Sequence, residues 1–447
     1  MYSTGLFFCR FISIYAIIIT AISCNGSGPS EIFGKKSLHE QYGDKIRSAG
    51  LHETALGRKW FLAAEQSLAV PLNVALPYTE TGYFAPEEPK AAAIIFKGRR
   101  GEKLTISLTK KPAARFAIFF DLWHSKQQNQ ATPELITAGD SALTPVVYEI
   151  EEEGNFIVRL QPELLQGGEY TLTITSGPAL AFPVTPKVKS NIASFWGVDR
   201  DRGSRRHEGI DIFAPRRTAL VAAANGTVTR VNANTLGGKV VFMKPDSKNY
   251  TLYYAHLEAQ LVEAGQQVKV GDSIGLMGNT GNARHTSPHL HFGIYTYNGA
   301  IDPLPFVQQV RKTPESITAP LTRLGKWVRN SKKSNLAIEP LPNTTGTVTV
   351  EANTLLKVEA ATADKYKVTL PGGETSFISS ANVTPISSPL IKARTKASLP
   401  LLDGPTSNAA TKTRLVKGQL YSVLAVHKNF YFILANNTEG WIERERL

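Results

Sequence analysis

From Leu38 to Leu68 apolar residues return at roughly helical spacing: Leu38, Tyr42, Ile46, Leu51, Leu56, then Trp60, Phe61, Ala64 and Leu68. The pattern predicts an N-terminal helical segment, interrupted at Gly43 and Gly50 and ended by Pro71, that packs on the domain following it. Beyond Pro71 the period changes to two. Leu104-Thr105-Ile106-Ser107-Leu108 and Tyr170-Thr171-Leu172-Thr173-Ile174 alternate apolar and polar, Phe156–Leu160 does so less cleanly, and Gly101, Gly154, Gly167 and Gly168 punctuate the runs. Short strands at this spacing predict a β-sandwich over 71–184. A β-rich region with most of the histidines spans 190–310. A basic, polar stretch poor in large apolar residues reads as a linker over 311–333, and two small β-rich units follow at 334–386 and 387–447. The chain is therefore mainly β.

The first residues carry a different pattern. Phe11–Ser23 is an almost unbroken apolar run with Arg10 before it and no acid until Glu31. It is shorter than the ~20 residues a membrane span needs and fits the apolar region of a secretory signal over 1–23. Ala21-Ile22-Ser23-Cys24 and the polar tether Asn25–Ser30 resemble a bacterial lipobox, which makes Cys24 a lipidation candidate and the membrane a partner; plain secretion and an uncleaved anchor are the alternatives. Residues 24–70 then form the tether and helical segment.

Composition narrows the chemistry. The 447 residues hold 2 cysteines, Cys9 and Cys24, so the body of the chain can host no disulfide scaffold, thiolate metal site or cysteine nucleophile. The net charge of +13 is scattered, which suits an anionic environment such as cell wall, lipid headgroups or nucleic acid without choosing among them. A nucleic-acid binder would need a clustered basic face with aromatic platforms, and the export signal argues against that partner.

Five of the 9 histidines, His207, His256, His285, His289 and His291, crowd into one short stretch. His207 and Asp211 stand four apart around Gly209, in a segment that reads as loop into strand. His289-Leu290-His291 places two imidazoles on one strand face. Tyr253-Tyr254-Ala255-His256-Leu257 lies in another β-rich run. Zinc takes neutral imidazole and carboxylate oxygen, and a catalytic site uses three protein ligands with one open position. These motifs supply that set with one or two histidines to spare for proton transfer.

The His207-xxx-Asp211, Tyr-Ala-His256-Leu and His289-x-His291 motifs, in that order, resemble the lysostaphin/LytM-like zinc metallopeptidases. The flanks Gly209–Ile212, Ala222–Val228, Val268–Gly275 and Gly278–Gly281 are similar to that family too, over about 115 residues. The resemblance implies an open, mainly antiparallel β-sheet with the site in a groove on its face. It implies one zinc ion held by His207, Asp211 and His291, with His256 and His289 as the unligated catalytic pair, their roles undivided. His285 and Tyr254 are candidate substrate contacts. Weaker likenesses make the sandwich similar to the jelly-roll domains beside secreted bacterial peptidases and the two C-terminal units similar to bacterial SH3-like barrels. The function implied is an exported zinc endopeptidase that hydrolyses peptide cross-links of peptidoglycan at the cell envelope. The alternative is a catalytically silent adaptor that binds wall or activates a partner amidase. The bond cut, the wall attacked and the oligomeric state are not legible.

Overall fold

A computed structural model describes residues 36–125, 132–200, 203–308, 313–341 and 344–446. The segment read as an export signal, and Cys24 with the stretch read as its tether, lie outside the described residues. Among the described residues no helix is long and apolar enough to cross a membrane.

The helical segment is two helices, α1 (Leu38–Ser48) and α2 (Ala55–Ala69). Ser37 and Glu40 form a capping box at the start of α1: the Ser37 hydroxyl accepts from the Glu40 amide at 3.1 Å and the Glu40 carboxylate from the Ser37 amide at 2.7 Å. Gly50, at φ +71°, takes the left-handed conformation that ends this first helical stretch. Gly43 does not break the helix. It lies inside α1, where the rings of Phe61 and Trp60 approach too closely to leave easy room for a larger side chain. Trp60 is buried, stacks on His39 at 4.7 Å and donates from Nε1 to the carbonyl of Pro162 at 2.9 Å. The helix pair thus docks on the strand Gly154–Pro162.

That strand belongs to a five-stranded sheet in the lateral order 72–73, 92–98, 154–162, 118–125, 134–138. A second sheet carries the strands Tyr78–Phe84, Gly168–Pro178, Glu102–Lys111 and Val146–Glu149. The alternation seen in the sequence decides what lies between them. Leu104, Ile106, Leu108, Leu172 and Ile174 from one sheet meet Ile94, Phe96, Phe120, Leu122 and Val158 from the other in one core. His124, without a partner motif in the sequence, is buried and stacked on Phe156.

The second sheet does not stop at the sandwich. Tyr78–Phe84 also pairs with Leu355–Thr362, Thr81 opposite Ala361 and Gly82 opposite Ala360. Leu355–Thr362, Lys365–Thr369 and Thr375–Ser379 extend it to seven strands, and Trp327–Asn330 and Val383–Pro385 bring it to nine. The segment read as a linker takes part: Ala319, Leu324 and Val328 enter the core beneath these strands, and Trp327–Asn330 pairs with Leu355–Lys357. The last residues, 391–443, form a six-stranded sheet of their own.

Between the two parts of the nine-stranded sheet lies a third region, a ten-stranded sheet from Asn191 to Ile301. Its main lateral order is 191–194, 210–213, 289–296, 250–260, 238–245, 226–234, 267–268, with antiparallel neighbours throughout. One face is packed with Ile210, Ile212, Leu252, Tyr254, Leu290, Phe292 and Ile294, all 0% exposed. The opposite face carries the histidines.

Candidate metal centre

Register brings the site together. The strands Ile210–Phe213 and His289–Thr296 set Asp211 opposite His291 and Phe213 opposite His289. Directly opposed residues share a face, and residues two apart do as well, so Asp211, His289 and His291 all rise from the side away from the apolar core. His207 comes from the loop before Ile210, where its backbone bonds Val198 and Gly197. Gly209 is required here by close approach. A Cβ on it would stand 2.8 Å from the His291 ring and 2.6 Å from the carbonyl of Phe292.

His256 reaches the same face by a different route. On its strand Tyr254 and Leu257 are buried in the core, while Ala255 lies opposite His291. Strict alternation would turn His256 into the core beside Tyr254. Instead its φ is +65°, a conformation uncommon for any residue but glycine, and the pairing register slips on either side. The His256 amide is held by the carbonyl of Gly237 at 2.7 Å. The ring then stands 5.0 Å from that of His289 and 5.9 Å from that of His291.

Three donor atoms converge: His207 Nε2 to Asp211 Oδ1 at 3.0 Å, His207 Nε2 to His291 Nδ1 at 3.0 Å, and His291 Nδ1 to Asp211 Oδ1 at 3.1 Å. Among the described residues this is the group of three metal-ligating side chains whose donor atoms fall within 4.8 Å of one another. His207 Nδ1 lies 2.8 Å from the carbonyl of Phe195, which can only accept, so Nδ1 carries the proton and Nε2 presents a lone pair. Lone pairs crowded this closely call for a cation between them. Burial would raise the Asp211 carboxyl, but the hydrogen bonds and charge of His207 and His291 outweigh it and hold the group well below the usual carboxylate range. Burial lowers His291, against the pull of Asp211. A carboxylate and two imidazoles are ligands that bind a metal in their deprotonated forms.

The flanking pair is arranged alike. His256 Nδ1 donates to the carbonyl of Thr280 at 2.9 Å, and His289 Nδ1 to that of Ser287 at 2.8 Å. In the neutral form of either ring the proton is therefore on Nδ1 and Nε2 is the acceptor. Burial, with the neighbouring charges of His289 and His291, pushes His256 down to about 4.

The other expected contacts fare differently. Tyr254 is 0% exposed and its hydroxyl accepts from the Ala223 amide at 3.0 Å, so it is a core residue and not a substrate contact. Its neighbour Tyr253, on the other face, packs edge-on against His291 at 5.9 Å. His285 is exposed on the turn after Gly281–Ala283 and is not part of the converging group. Arg216, which follows the strand Ile210–Phe213, is tied to Glu258 and Asn279. Sequence reasoning missed Arg200, which binds Asp211 from behind; no local pattern links the two.

Residues 205–303 match Peptidase family M23. Over 140 residues the chain is 35% identical to the L-Ala--D-Glu endopeptidase of Bacillus subtilis (strain 168), covering 29% of this chain and 43% of that one. Over another 140-residue match it is 33% identical to the murein hydrolase activator NlpD of Salmonella typhimurium, covering 31% and 34%. The catalytic domain of lysostaphin from Staphylococcus simulans aligns at 28% identity with a TM-score of 0.24, covering 27% of this chain and 92% of that one. The chain spans less than half the length of the curated relatives it matches. Residues 205–303, which carry the histidine face, are a Peptidase family M23 domain.

Proposed function

We propose that this protein is an exported zinc endopeptidase that hydrolyses peptide cross-links of peptidoglycan. The observation that carries the reading is the complete constellation: three converged donors with two further imidazoles beside them, each anchored through Nδ1 to a backbone carbonyl. The fit to zinc is chemical and metric. Imidazole nitrogen and carboxylate oxygen are its ligands, and bonds of about 2.0–2.1 Å in a tetrahedron set donors about 3.3 Å apart, close to the 3.0–3.1 Å found here.

His207, Asp211 and His291 would hold the ion. When bound, zinc acts as a Lewis acid, polarising the scissile carbonyl and acidifying the attacking water towards a pKa of about 7. The chain's own residues do the rest. His256 and His289 can each accept a proton at Nε2 and return it to the leaving amine, while the carbonyls of Thr280 and Ser287 fix ring orientation and tautomer. Tyr253 shields the His291 ring. Export and attachment through a lipidated Cys24 belong to the same proposal, as do jelly-roll-like and SH3-like modules that place the enzyme on its substrate.

A second reading rests on the relative named a murein hydrolase activator: this chain could serve a partner amidase without cutting. Purified protein incubated with peptidoglycan separates the two. Release of muropeptides that a chelator stops and zinc restores is the expected result. Absence of release, with stimulation of an added amidase, would establish the activator role.

A further inference from the structure

Behind the three converged donors lies a second layer of contacts. The two oxygens of Asp211 face opposite ways. Oδ1 is the atom that meets His207 and His291; Oδ2 is 2.7 Å from Nη2 of Arg200. The same Nη2 donates to the Ser194 hydroxyl at 2.7 Å, and that hydroxyl lies 3.3 Å from His207 Nδ1. Ser194 is on the edge strand Asn191–Ser194, directly opposite Asp211, and Arg200 is on the short hairpin formed by Asp199–Arg200 and Arg205–Arg206. The Asp211 side chain is 7% exposed and that of Arg200 34%, so the pair sits at the margin of the site and is only partly screened by water.

We propose that Arg200, with Ser194, is the positioning residue of the metal centre, holding Asp211 so that it offers one oxygen only. The inference rests on the reading of the triad as a zinc site. A carboxylate free at both oxygens can close on a cation in two-point fashion and use up a coordination position. Here a guanidinium occupies Oδ2 through a charge-assisted bond, which leaves Oδ1 for the ion and keeps the remaining position free for water. A positive side chain beside a cation site looks unfavourable by charge alone. It is accommodated because Arg200 meets the oxygen turned away from the donors.

The test uses the full chain, its Arg200→Gln and Arg200→Lys variants and Ser194→Ala. Each metal-free protein is checked for folding by thermal unfolding and then titrated with zinc against a chromophoric chelator. Arg200→Gln should bind zinc 10–100-fold more weakly, the usual effect of removing a group that orients a ligand. Arg200→Lys should recover part of the loss, since an ammonium can pair with Oδ2 but lacks the guanidinium's geometry. Cobalt substitution supplies a signature that a purely structural role would not move. The parent should show the intense visible bands of four-coordinate cobalt, and Arg200→Gln the weaker bands of five-coordinate cobalt as Oδ2 joins. If Arg200→Gln does not fold, Arg200→Lys and Ser194→Ala carry the measurement. Folded variants that bind zinc within twofold of the parent, with unchanged cobalt spectra, would overturn the clamp while leaving the metal centre standing. A folded parent that takes up no zinc would overturn both.

Discussion

At the scale of single residues, the division of labour among five polar side chains makes separable claims. His207→Ala and Asp211→Ala each remove a donor and should abolish both zinc uptake and hydrolysis. His256→Ala and His289→Ala leave the donors intact. They should retain metal by elemental analysis and lose rate by about 10²–10⁴-fold, the usual worth of one acid–base group; metal loss in either would make it a ligand. The pH dependence has a definite sign. His256 is lowered to about 4 by burial and by its histidine neighbours, so it is an unprotonated base across the neutral range and is lost only as pH falls towards 4. With zinc in excess, the acid limb due to His256 should therefore lie well below the 6.5 of a free imidazole, and its disappearance in His256→Ala identifies it. If the low-pH limb persists unchanged in His256→Ala, the assignment fails. Even spacing of ligand types shows in the sequence that Asp211 can share a face with His207 and His289 with His291; the choice of His207, Asp211 and His291 as the metal set comes from the resemblance to the lysostaphin/LytM-like peptidases. The route by which His256 arrives was not legible in the sequence. Its segment reads as a plain alternating strand, and only a left-handed residue, set by contacts with Gly237 and Thr280, turns the ring out of the core.

The same contrast appears at the scale of elements. Leu104–Leu108 and Tyr170–Ile174 could be read as half-buried strands because period two has one physical cause, a sheet with one covered face. The α1–α2 pair was legible as helix, but not the polar contacts that seat it. His39, 8% exposed, accepts at Nδ1 from Arg159 at 3.1 Å, so its proton is on Nε2, which donates to Gln161 at 2.6 Å; Arg159 also pairs with Asp121. These partners come from strands more than 80 residues away, beyond any local pattern. Burial and then the charge of Arg159 lower His39 to about 4. In the unfolded chain the same ring takes up its proton near 6.5, so the folded state loses ground as pH falls from 6.5 to 4 and is unaffected above that window. The full effect is on the order of 3 kcal/mol. Urea titrations at pH 7 and pH 5 should show this slope in the parent. His39→Gln, which has no ring to titrate, should lose stability at pH 7 but show a flatter slope; an equally steep slope would assign the acid sensitivity elsewhere.

At the scale of the whole molecule, the peptidase region is an excursion from a sheet that the chain later returns to complete. Residues 78–84 and 355–362 are neighbours in one sheet although the M23 domain lies between them in sequence. Edge pairing of this kind uses backbone amides and carbonyls, which leave no trace in side-chain periodicity, so the two parts read as separate modules. Side chains then lock the joint. Lys367 Nζ donates to both oxygens of Glu80, at 2.8 and 2.7 Å, and Tyr78 and Tyr170 donate to the same carboxylate at 2.7 and 2.8 Å. Burial pushes Glu80 up, but the charge and hydrogen bonds of Lys367, aided by the tyrosines, outweigh it and hold the group below its usual value. An ion pair this deep contributes little over a well-packed apolar pair, yet breaking it from one side strands a charge at a cost of about 3–5 kcal/mol. Lys367→Ala should thus destabilise the sandwich, a domain remote in sequence, by roughly that amount in denaturant titrations. Adding Glu80→Gln to Lys367→Met should recover most of the loss, because a neutral amide leaves no charge uncompensated: its oxygen accepts from one tyrosine hydroxyl and its NH2 donates to the other. Both variants lie outside the histidine face, so hydrolysis by folded protein should be unchanged at low temperature. If instead Lys367→Ala leaves the unfolding of the sandwich untouched, the C-terminal strands are an independent module, and the continuous sheet does not couple the two ends of the molecule.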